Sequence, residues 1–65
     1  MEQKFLKRIE VEKITGLSRS LIYELMNTNE FPHPVKLTKK SVRWVKAEID
    51  EWCNEKIQDR NTRQQ

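Results

Sequence analysis

The chain has one glycine, one cysteine, one histidine and two prolines in 65 residues, and these scarcities close off whole classes of protein. A single cysteine, Cys53, excludes an internal disulfide, and with only His33 to add, no four-ligand zinc site can be assembled. No apolar run approaches the roughly 18 residues needed to span a bilayer, and nothing near the N-terminus has the pattern of a signal peptide. A cytoplasmic protein with no membrane partner, no metal and no cofactor is expected. So short a chain buries only about 60% of the surface it exposes when unfolded. That leaves one small domain over residues 1–65 and little means of enclosing a catalytic cavity or a small-molecule ligand. A binding module is expected rather than an enzyme.

What is present is charge. Thirteen Lys and Arg against ten Asp and Glu give a formal charge of +3, a mild excess that favours a polyanionic partner. The lone glycine, Gly16, lies inside TGLSRSLIYELM. Before it, Ile9, Val11 and Ile14 have partial helical spacing, with Glu10 and Glu12 near the positive end of a helix dipole. A short helix over residues 9–15 is predicted, ended by Gly16 in the left-handed conformation. Ser18 can cap a second helix running from 18 or 19 to about 28, with Leu17 placed for a hydrophobic staple. At about 100° per residue, Leu21, Ile22, Leu25 and Met26 fall on one side and Arg19, Ser20, Tyr23, Glu24 and Asn27 on the other.

Pro32 and Pro34 cannot continue that helix, and Asn29 is a suitable left-handed cap. VKLT and SVRW then alternate as a hairpin, Val35 and Leu37 matching Val42 and Trp44, with Lys39 and Lys40 at the tip. From Lys46 the helical period returns as an apolar stripe of Ile49, Trp52, Cys53 and Ile57. The tail 59–65 has no apolar anchor and is expected to fray. Trp44 and Trp52 read as packing anchors, Cys53 as core, and His33, between two prolines, as a rigid loop residue. Asp50 and Glu51 point different ways on a helix, so no acid–base pair is implied.

The order of elements is mostly α with a small β-hairpin, a winged helix-turn-helix. In that arrangement the second helix enters the major groove through its N-terminal end and exposed face. The candidate DNA-contacting residues are Ser18, Arg19, Ser20, Tyr23, Glu24 and Asn27 on the helix, and Lys36, Lys39, Lys40 and Arg43 on the hairpin. Arg19 suits a guanine edge or a phosphate, Asn27 an adenine, and the hairpin cations the adjacent backbone or minor groove.

TGLSRSLIYELM, EFPHPVKL, and VRW followed by EIDEW together resemble the AlpA-like prophage regulators, within the MerR-like winged-helix and excisionase group. The resemblance covers roughly residues 5–53 and points to Arg19, Ser20 and Tyr23 on the recognition helix and to the wing around Lys39–Arg43. It implies a double-stranded DNA-binding regulator of a prophage or integrative element, controlling integrase expression and excision. The alternatives are a recombination directionality factor that bends DNA at an attachment site, and a protein-interaction module for an integrase or response regulator. Glu24 stands where the family pattern has a basic residue, and Asn29 where it has glycine. MerR-type dimers carry a long coiled-coil helix after the winged domain. None is expected here, so a monomer or association on DNA is anticipated.

Overall fold

The computed structural model describes residues 3–63. In chain order the elements are β1 (Phe5–Leu6), α1 (Arg8–Thr15), α2 (Arg19–Asn27), β2 (Val35–Thr38), β3 (Ser41–Val45) and α3 (Lys46–Arg63). They form a mostly helical small domain with a three-stranded antiparallel sheet in the order β1-β3-β2.

Helix α1 begins where Lys7 is extended and the Glu10 carboxylate reaches back to accept the Lys7 N–H at 2.8 Å, satisfying a donor that the first turn leaves free. It ends at Gly16, whose φ of 74° lies in the left-handed region and whose N–H donates to the Glu12 carbonyl at 2.7 Å. Ser18 restarts the chain as an N-cap, its Oγ accepting the Leu21 N–H at 3.2 Å. The far end of α2 closes on Asn29, the other residue with positive φ among those described, at 59°. There Glu30 N–H donates to Leu25 O and Asn29 N–H to Met26 O, at 2.8 and 3.1 Å. This pair of bonds around a left-handed residue is the Schellman arrangement, with asparagine in place of the usual glycine.

The core is Leu6, Val11, Ile22, Phe31, Trp44 and Ile49. One residue comes from each of β1, α1, α2, the segment after α2, β3 and α3, and none from β2, whose four residues are all exposed. Two indoles pin the proline-bearing segment across this core. Trp44 Nε1–H donates to Pro32 O at 2.9 Å, and Trp52 Nε1–H to Glu30 O at 2.8 Å. Phe31 packs edge-on to Trp52 with ring centroids 4.8 Å apart. A segment that can neither continue α2 nor join a ladder thereby has two carbonyls satisfied, and it hands the chain to β2 in a fixed place. Cys53 is half-buried against the core, and burial first, then the Asp50 charge, pushes its thiol pKa up.

Several expectations about apolar faces are corrected. In α1 only Val11 is buried, while Ile9 and Ile14 are exposed; Ile9 is two residues from Val11 and so off its face, and Ile14, three residues on, shares that side but sits in the last turn. Leu21 is exposed as well, sitting about 100° around from the buried Ile22 at the rim of the stripe. Ile57, one turn beyond Cys53, is also exposed. The third helix is described through Arg63, and residues 64 and 65 lie outside those described.

The hairpin register differs most. Val35 pairs with Arg43 and Lys36 with Val42, so Val35 and Leu37 do not match Val42 and Trp44. Thr38 then pairs with Ser41, which leaves Leu37 as an extra residue in β2, a bulge. A two-residue connection that follows strand twist needs positive φ in the turn, supplied by Asn or Gly. Lys39 and Lys40 do not adopt it, and the bulge takes up the mismatch.

Candidate nucleic-acid interface

Because Ile22 turns fully into the core, with Leu25 and Met26 packed partly against it, the other side of α2 is committed to solvent. Arg19, Ser20, Tyr23, Glu24 and Asn27 together line a shallow depression of about 520 Å³ there. The Arg19 guanidinium lies 5.7 Å from the Tyr23 ring centroid, one turn along. A planar cation over an aromatic face is held by the ring quadrupole without losing its outward N–H donors. Ser18 is exposed at the helix start, but its Oγ already accepts at the cap, which leaves its hydroxyl hydrogen as a donor to a partner.

On the hairpin, Lys36, Lys39 and Lys40 are exposed. The two ion pairs seen among the described residues, Arg8–Glu12 and Lys46–Asp50, each at 2.9 Å, involve none of the candidate cations. Arg43 is different. It is half-buried, and its guanidinium donates to the neighbouring Val42 carbonyl at 2.8 Å. The Glu10 carboxyl titrates below its ordinary value, held down first by the Lys7 backbone N–H, then by the Gln3 amide, with lesser contributions from the Lys7 and Arg43 charges. Arg43 therefore lies toward α1, and the tip lysines form the exposed cationic end of the hairpin.

A larger depression, about 760 Å³, opens between the segment after α2 and α3, with Glu30, Glu48, Glu51 and Glu55 in its wall. Four carboxylates repel a polyanion, so its size does not make it the interface. The α2 face, smaller but bearing Arg19 and three groups that both donate and accept, the Ser20 and Tyr23 hydroxyls and the Asn27 amide, has the chemistry to read base edges and phosphates. The sequence grouped these α2 residues correctly on one face. It did not reveal the indole bonds that set the hairpin, although two tryptophans near a proline-bearing segment with unladdered carbonyls were the available signal.

A small helical scaffold presenting one polar helix face and a basic hairpin fits a regulatory protein. The family model described as prophage CP4-57 regulatory protein (AlpA) matches residues 4–57. The chain belongs to this AlpA family, one of regulators and not of enzymes. It is 42% identical over 59 residues to an uncharacterized protein, ORF88, of Enterobacteria phage P4, covering 91% of this chain and 67% of that one. It is also 40% identical over 48 residues to the DNA-binding transcriptional activator AlpA of Escherichia coli (strain K12), covering 65% of this chain and 69% of the activator. No solved structure matches the chain significantly. No helix among the described residues is long and apolar enough to cross a membrane.

Proposed function

We propose that the chain is a DNA-binding transcriptional regulator of a prophage or integrative element, in which α1, Gly16–Ser18 and α2 act as a helix-turn-helix and β2–β3 as its wing. The observation that carries this reading is the division of labour in the fold. Arg19, Ser20, Tyr23, Glu24 and Asn27 share an exposed face of α2, and neither β2 with Lys36 nor the turn with Lys39 and Lys40 contributes to the core. Both are surfaces the fold maintains without using them internally. Helix α2 lies in the major groove, its N-terminal turn toward the backbone, where Ser18 and Ser20 bond phosphate and Arg19 and Asn27 reach base edges. The likeness to a DNA-binding activator supports the same partner. Control of an integrase gene, with excision as its consequence, is the biological role we assign.

Selection of duplexes from a random pool on the purified protein tests the reading. An enriched motif whose binding weakens steeply with salt supports it. Salt-insensitive, sequence-blind binding contradicts it and leaves an integrase or other protein as the partner. Footprints beside the integrase gene then separate one isolated operator, expected of a regulator, from phased repeats at an attachment site, expected of an excisionase.

A further inference from the structure

Scattered exposed apolar side chains on a small domain need no explanation, but of the three on the hairpin one is placed unlike the others. Val35, Leu37 and Val42 are 37%, 48% and 44% exposed. Leu37 is the most exposed of them, and it is the bulged residue with no partner across the ladder. A bulge re-aims the side chain it frees. Lys36 precedes Leu37, and Lys39 and Lys40 follow one residue on, so a leucine is set among three exposed cations near the tip of an element that adds nothing to the core.

We propose that Leu37 is an apolar wedge that enters the DNA minor groove, partly unstacks one base step and bends the duplex, while the flanking lysines hold the phosphates on either side. The inference rests on the DNA-binding reading and names a residue and a mode of binding that reading does not require. The groove is only about 6 Å wide, so a wedge and its flanking charges must come from a thin element, and a two-stranded hairpin is one. Leucine serves as such a wedge in minor-groove binders, and unstacking costs least at pyrimidine–purine steps. The competing occupant is the β2 edge of a second copy. The bulge and the lysines argue against it, since both interrupt strand-to-strand pairing at a sheet edge. The positive charge favours a polyanion over another copy of the same hairpin.

The test uses the full chain and a duplex of about 30 base pairs enriched on the protein from a random pool. The duplex carries dyes at both ends to report bending and 2-aminopurine at candidate steps to report unstacking. The wild-type protein should bend the duplex by about 20–90° and brighten the 2-aminopurine at one step. Leu37→Ser should abolish both signals and weaken binding by about five- to tenfold, with the salt dependence unchanged because no charge is removed. Leu37→Met, a wedge of similar bulk, should restore both signals. The side chain is outside the core, so these variants keep the fold, as circular dichroism will show. A straight duplex with wild-type protein, or equal bending and brightening by Leu37→Ser, overturns the proposal. So does a change in the free protein's sedimentation on Leu37→Ser, which would assign the patch to a second copy. Failure of the wild-type chain to bind any duplex overturns the DNA reading itself and the wedge with it.

Discussion

Gly16 offers a substitution whose cost can be worked from the backbone alone. Its φ is 74°, and a Cβ built there meets no atom within 4 Å, so any penalty for a side chain is conformational and owes nothing to packing. Alanine in the left-handed region costs about 1–2 kcal/mol, and a β-branched residue about 1–3 kcal/mol. In a domain of this size 1 kcal/mol moves the midpoint of thermal unfolding by about 4–8 °C. Gly16→Ala should therefore lower it by roughly 4–16 °C and Gly16→Val by roughly 4–24 °C. Gly16→Asn should fall by less than either, since asparagine tolerates this conformation. Asn29 supplies the internal comparison. With φ of 59°, Asn29→Gly should relieve backbone strain at the expense of an exposed side-chain bond to His33 at 3.2 Å, leaving the midpoint within a few degrees. Melts followed by circular dichroism read the whole series. An unchanged midpoint for Gly16→Val, or an asparagine variant as unstable as the valine one, would refute the reasoning.

Three further outcomes follow from the charges. Lys39→Ala combined with Lys40→Ala should reduce the slope of log affinity against log salt by up to about 1.8, at about 0.9 per phosphate contact, and leave sequence preference intact; an unchanged slope in salt titrations would remove the tip from the interface. Glu24→Arg should tighten binding to any duplex and steepen the slope if the carboxylate merely faces phosphate; if it accepts from a cytosine amino group, titrations with cognate and scrambled duplexes will show specific binding fall while nonspecific binding rises. Glu10 has a folded pKa below its ordinary value, so its contribution is present above the ordinary carboxylate range and is lost as pH falls through the folded value. Urea midpoints of the wild-type protein should accordingly decline more steeply on acidification than those of Glu10→Gln, and parallel curves would contradict the assigned bonds.

Some elements were legible in the sequence because a local rule had only one solution. Gly16 and Asn29 end helices because few residues tolerate positive φ, and Ser18 caps α2 because a hydroxyl satisfies a first-turn donor. The exposed face of α2 was legible because Ile22, Leu25 and Met26 fix the inward direction. The hairpin was not. Alternation in VKLT matched Val35 and Leu37 to Val42 and Trp44, yet Val35 pairs with Arg43 and β2 buries nothing, and its register follows a turn that Lys39 and Lys40 do not make in the primed form. Ile57 kept the helical period after the body of the protein had ended, so periodicity alone overstated the core. The bonds from Trp44 to Pro32 and from Trp52 to Glu30 join residues 12 and 22 apart, beyond what local pattern can place. The α2 face therefore came from local rules, while the placing of the hairpin depends on tertiary contacts.

The central claim is that the exposed face of α2 reads DNA, and Arg19 tests it most directly. Stacked over Tyr23 near the helix start, its guanidinium can take a guanine edge with paired donors. Arg19 is exposed and outside the core, so the fold should survive Arg19→Ala. Titrated against the selected duplex and single-base variants at each position, the substitution should cost about 1–3 kcal/mol and flatten the preference at one base pair while leaving the others intact. Full affinity with unchanged preference at every position would contradict the account.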